Sequence, residues 1–173
     1  MEASMKSVIS LVIFLCLVIS MCFIADTVYA GSIKEFRIFA SGQMTDSGAS
    51  DCESSNDGCT VTNEGIARGT HIGKGTFAQT VTIFWKSGWQ AGSDGFCAPA
   101  HGYIVITAAD KSTMTAERAG TVCKVRDNVA FNATYFITGG TKRFANASGT
   151  GISACSVDKD GKVLGFANGS LIK

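Results

Sequence analysis

Between Val129 and Gly140 the chain reads VAFNATYFITGG, with Val129, Phe131, Ala133, Tyr135 and Ile137 at every second position. Successive side chains of a strand point to opposite faces, so these five share one face while Asn132 and Thr134 take the other. No segment shows a persuasive helical period. The chain must therefore bury its apolar residues by pairing strands.

Further strands follow from the same pattern. SIKEFRIFASGQM (32–44) alternates Phe36 and Ile38 against Glu35 and Arg37, and GTFAQTVTIFW (75–85) sets Phe77, Val81, Ile83 and Trp85 on one face. HGYIVITAAD and STMTAERAGTVCKV flank a short turn at Asp110 and Lys111 and read as a hairpin. GISACSV and KVLGFANGSLI form a last hairpin around DKDG. TDSGASDCESSNDGCTVTNEG (45–65) reads as one long loop and KSGWQAGSDG as a turn-rich connection. Twenty glycines against a single proline, Pro99, suit tight turns between strands. Seven or eight strands at fairly regular spacing make an all-β barrel or sandwich.

The N-terminus differs from the rest. After Lys6 an apolar run extends to Ala25, and Val28 and Ala30 supply the small-residue pattern read by signal peptidase. We read residues 1–30 as a signal peptide and 31–173 as a single β domain, secreted or periplasmic. An uncleaved anchor is the rival reading, because the run barely reaches the length of a bilayer span. No Lys/Arg cluster follows it as a stop-transfer flank, and Cys16 and Cys22 lie in no convincing lipobox. The mature part carries 14 basic and 12 acidic residues. That balance gives no case for nucleic acid or an anionic membrane as partner.

Cys52, Cys59, Cys97, Cys123 and Cys155 remain after cleavage. In an oxidising compartment disulfides are expected. Cys52 and Cys59 lie close enough in sequence to staple the acidic loop. Folding the central hairpin about Asp110–Lys111 brings Cys97 opposite Cys123, which leaves Cys155 as the spare thiol. A Cys123–Cys155 pairing stays open. No CxxC pair occurs, so no zinc site is expected, and Asp46, Asp51, Glu53 and Asp57 do not match the calcium-loop pattern. Neither a metal nor another cofactor is called for.

Other motifs dissolve on inspection. RGTHIGKGT lacks the first glycine of a P-loop and leads into a strand, so no helix N-terminus is there to hold a phosphate. His71 fits a hydrogen-bonded turn, and nothing brings it or His101 to a cysteine nucleophile. The sequons at Asn132, Asn146 and Asn168 are read as chance. The glycines of GGTKRFANASGTG (139–151) fit sharp corners, with Phe144 in the core and Arg143 facing outward or capping a carboxylate.

This last segment resembles the GGTGRF-x-x-A-x-G-x-G element of the allene oxide cyclase/dirigent-like barrels, above all their secreted bacterial members. GTHIGKGTF resembles the G-T-x-H-L-G-x-x-T element near the start of the same proteins. Order and spacing also agree, so the resemblance spans residues 33–172. It implies an antiparallel, eight-stranded β-barrel with an apolar interior. Lys142 stands where the family usually has glycine, which suggests a less tight turn. The family's enzymes cyclise unsaturated lipid epoxides and its dirigent members steer phenoxy-radical coupling; none of their catalytic positions can be matched here.

Strand parity makes Trp85, Tyr103, Arg118, Phe131 and Tyr135 candidates for the barrel interior or rim. They suggest a small hydrophobic or aromatic ligand, or an exterior structural or interaction module. The alternative is an isomerase or cyclase acting on a small unsaturated substrate. A homo-oligomer is compatible with each.

Overall fold

The computed structural model describes residues 32–45, 58–84, 90–92 and 95–173. The signal-peptide reading, the calcium-loop carboxylates, Cys52 and Trp85 all lie outside the described residues.

Among the described residues the strands are β1 (Ile33–Met44), β2 (Cys59–Gly69), β3 (Gly73–Ile83), β4 (Gln90–Gly92), β5 (Gly95–Ala108), β6 (Thr113–Val125), β7 (Asn128–Gly140), β8 (Gly149–Val157) and β9 (Lys162–Ile172). They pair antiparallel in the order β3-β2-β1-β9-β8-β7-β6-β5-β4, and β3 also pairs with β5. That extra pairing runs from Gly75 opposite Ala108 to Ile83 opposite Ala100 and closes an eight-stranded barrel. Three-residue β4 only extends the ladder beside the start of β5. Closure leaves no long unpaired edge to template aggregation.

The alternation read for β7 is the alternation observed: Phe131, Ala133, Tyr135 and Ile137 are buried, while Asn132, Thr134 and Phe136 are exposed. The inward positions form two apolar clusters. One gathers Phe36, Ile38, Phe77, Ile106, Met114 and Leu171; the other gathers Val81, Ile83, Ala98, Ala100, Val122 and Phe131.

The long loop expected over residues 45–65 is shorter than that, because its second part is β2. Cys59 to Gly69 pairs along its whole length with β3, with Val61 opposite Val81 and Asn63 opposite Gln79. Its inward slots hold Val61, Asn63, Gly65 and Ala67, too small and polar to show a hydrophobic period. Sheet pairing overrides the weak local signal.

Cys97 and Cys123 stand opposite each other on β5 and β6 and form a disulfide. Cys155 is free. Cys59 is disulfide-bonded as well, to a partner outside the described residues.

A 3-10 turn, Lys142–Phe144, carries the fully buried Phe144 into the first cluster. Arg143 turns outward and pairs with Asp110 (Nε to Oδ2, 3.2 Å), where Ser112 already donates two hydrogen bonds to Oδ1. Those bonds, with Arg143 nearby, hold the Asp110 carboxyl below its usual range. The turn is not loosened at Lys142, as its side chain had suggested. Lys142 takes φ 51°, the left-handed conformation that glycine adopts without strain.

A β-carbon there costs about 1–2 kcal/mol, partly offset by the greater freedom glycine has when unfolded. Lys142→Gly should therefore stabilise the barrel by about 0.5–1 kcal/mol, read as a raised urea midpoint at unchanged slope. A lower midpoint would show that the bond from Lys142 Nζ to the Asp110 carbonyl (3.1 Å) outweighs the backbone strain.

Candidate functional site

Between the two apolar clusters the inward slots turn polar. Asn63, Gln79, Arg118 and Ser153 are all buried there, on β2, β3, β6 and β8. Among the described residues Arg118 is the one charged side chain in the buried set, with only 4% of its surface exposed.

Arg118 is held by Ser153, Gln79, Phe131 and Cys155. Its Nε donates to Ser153 Oγ (3.1 Å), its Nη1 donates to Gln79 Oε1, and its guanidinium lies 4.6 Å from the centre of the Phe131 ring. Ser153 passes its own hydroxyl hydrogen to the Ala133 carbonyl (3.3 Å). The free thiol of Cys155 is also close enough to act on the guanidinium. Burial pulls the Arg118 pKa down and Cys155 opposes that pull. No carboxylate pairs with Arg118 among the described residues. Buried cations are normally matched by an anion, since an unpaired one forfeits several kcal/mol of hydration.

Tyr135 lies directly opposite Arg118 in the β6–β7 register, and its ring meets Phe36 edge-on at 6.2 Å. Its hydroxyl lies over Gly151 and Gly169, the next residues in the cross-strand row. A β-carbon on either would stand 2.6 or 2.5 Å from that oxygen. The two glycines thus make the space the tyrosine fills. The buried hydroxyl has no hydrogen-bond partner, and neither does Gln79 Nε2 or Asn63 Oδ1. Burial alone pushes the Tyr135 pKa to about 12, so at neutral pH the group is a hydrogen-bond donor and not a base.

Tyr135 and Gln79, though not Asn63, face a cavity of about 50 Å³. Phe36, Phe77, Ile104, Ile106 and Ile137 form its apolar wall, with Arg118, Gln79, Tyr135, Ser153 and Cys155 at its polar side. The space takes on the order of three or four water-sized spheres. It is far below the roughly 300–1,000 Å³ of pockets for drug-sized ligands.

Of the candidates read from strand parity, Arg118, Phe131 and Tyr135 come together in this interior. Tyr103 does not. It is 44% exposed on the outer wall, between Thr80 and Glu117 in register. Its strand is apolar on both faces through Tyr103–Ile106, so parity cannot be read there. The inward slot belongs to buried Gly102, beside the Phe131 ring. Gln79, Asn63, Ser153 and the inward thiol were not anticipated. Their signal is a polar residue at an inward position of an apolar alternation, as in Phe77-x-Gln79-x-Val81.

The remaining candidates sit elsewhere. His71 makes its expected turn, at φ 65° with Nε2 3.1 Å from the Glu35 carbonyl, and His101 is exposed on the outer wall. Among the described residues no group of three His, Cys, Asp or Glu side chains is placed to hold a metal, and no helix is long and apolar enough to cross a membrane. The outer wall carries apolar side chains across β1, β9 and β8: Phe39 stands opposite Phe166, with Leu164 and Ile152 exposed nearby. No family model and no curated protein matches this sequence.

The raised Tyr135 pKa fixes a pH dependence. With a folded value of about 12 against 10.0 for a free tyrosine, the native state holds the proton longer. Stability is complete below pH 10 and falls as pH rises from there towards 12. Tyrosinate absorbance of the folded protein should show one phenol titrating late. Tyr135→Phe should remove both that phase and the alkaline loss, and be neutral or stabilising by about 1 kcal/mol at pH 7, because no hydrogen bond is lost. A clear destabilisation at pH 7 would mean that the hydroxyl is paired.

Proposed function

We propose that the chain is an exported barrel of the allene oxide cyclase/dirigent-like kind that binds a small, largely apolar ligand in its interior. The observation that carries this reading is the cavity. It is walled by apolar side chains, and the Tyr135 hydroxyl and Gln79 Nε2 border it without partners. Pockets with a few placed polar groups in an apolar wall recognise a ligand's shape through the wall and its orientation through the polar atoms. The family assignment rests on the segments around His71 and Phe144. Export rests on the N-terminal segment and fits the Cys97–Cys123 disulfide.

A cyclase or isomerase would need a group that takes or gives a proton near neutral pH. Among the described residues the buried set contains no carboxylate or imidazole. Tyr135 holds its proton far too tightly to act as a base. The interior chemistry favours holding a molecule over transforming it. The exposed row Phe39, Phe166, Leu164 and Ile152 supports a second reading, an exterior face for another macromolecule.

Native mass spectra of the protein secreted by its own host, before and after organic extraction, test the first reading. An extra mass of small-molecule size that extraction removes is expected. The same apo mass in both samples would contradict an interior ligand and turn attention to the outer face.

A further inference from the structure

We propose that the ligand of this interior is a short-chain carboxylate, its head on the Arg118 guanidinium and its tail against Phe77 and Ile104. The inference rests on the ligand-binding reading above and adds the chemical class. Three observations converge on it.

First, Arg118 is a buried cation with no carboxylate beside it among the described residues: Gln79, Ser153 and Phe131 are neutral, and the sulfur of Cys155 is its one other partner. A guanidinium has five N–H donors in a planar fork; Ser153 and Gln79 engage Nε and one N–H of Nη1, and Cys155 takes a further hydrogen bond, which leaves two. The remaining donors match a carboxylate, which accepts them in pairs. Second, the unpartnered groups beside it suit the same head. The neutral Tyr135 hydroxyl and Gln79 Nε2 are donors, nine-tenths or more buried, and both line the cavity. Third, charge and size select within the anions. One cation balances one negative charge, and a dianionic phosphate would meet an otherwise apolar wall. About 50 Å³ accommodates on the order of three or four heavy atoms, the carboxylate head and adjoining carbon of a short chain such as butanoate.

Cys155 provides an internal reporter, since its free thiol lines the same cavity. Protein expressed from the full-length chain, freed of small molecules by extraction and refolding, is titrated with butanoate and with butan-1-ol. Occupancy is read as slowed alkylation of Cys155 by iodoacetamide, with sodium chloride at equal concentration as control.

Butanoate should protect Cys155 at concentrations about tenfold or more below those needed for butan-1-ol, as expected for bonds to a charged group. Arg118→Met should abolish that preference. If that variant does not fold, the wild type decides through pH. Butanoate affinity should fall about tenfold per unit below a carboxyl pKa near 4–5, while that of butan-1-ol stays level.

Protection by butan-1-ol but not by butanoate would overturn the carboxylate assignment and leave an apolar ligand site standing. Equal protection by chloride would overturn it in favour of a simple halide site. If butanoate binds only to Cys155→Ala, the thiolate is the native counter-ion of Arg118 and the assignment fails. No protection by either organic probe would overturn the ligand-binding reading itself.

Discussion

Everything in this molecule depends on the pairing of β3 with β5. Without it the strands make an open sheet with two edges and two wet faces. With it, the nine register pairs from Gly75–Ala108 to Ile83–Ala100 divide every strand into an inside and an outside. Eight strands give an interior just wide enough for side chains to fill. Polar residues at inward positions on separate strands must therefore meet each other, away from bulk solvent. Gln79 and Arg118 are 39 residues apart in sequence and become hydrogen-bond partners for that reason.

The polar layer at mid-barrel is costly by the ordinary rules of cores. It interrupts what would be one continuous apolar interior and leaves two clusters, one around Phe36 and Phe144, the other around Val122 and Phe131. Its cation is almost wholly removed from bulk solvent and has hydrogen bonds to Gln79, Ser153 and Cys155 and a ring face in return. Replacing such a layer with well-packed hydrophobic residues commonly leaves stability unchanged or raised. The proposed interior ligand would give that layer, and the unpartnered donors beside the cavity, their partner.

Much of the scaffold was legible because its strongest signals are local. The period of two from Val129 to Ile137 marks an inward row, and the hairpin about Asp110 and Lys111 places Cys97 against Cys123. Phe144 and Arg143 divide between core and surface as their chemistry requires. The interior was legible only in part. Arg118, Phe131 and Tyr135 announce themselves as large residues on clearly alternating strands, whereas Tyr103 sits in a run that is apolar on both faces. Gln79 and Ser153 look like ordinary strand polar residues until closure puts them opposite a guanidinium. Lys142 shows the reverse failure: a residue that argues locally for a looser turn is forced by its surroundings into glycine's conformation. Long-range register decides such positions, and no short window of sequence contains it.

One arginine is sequestered in the barrel and hydrogen-bonded there. That placement is tested most directly by hydrogen exchange at the arginine Nε–H groups, followed by ¹⁵N NMR in the folded protein. The chain has five arginines. Burial and the bond from Arg118 Nε to Ser153 predict one resonance protected to the level of core backbone amides, lost in Arg118→Lys, with Arg143, whose Nε pairs with Asp110 at the surface, slowed far less and the other three exchanging as free side chains do. Five rapidly exchanging Nε–H groups would place Arg118 in solvent and contradict the account.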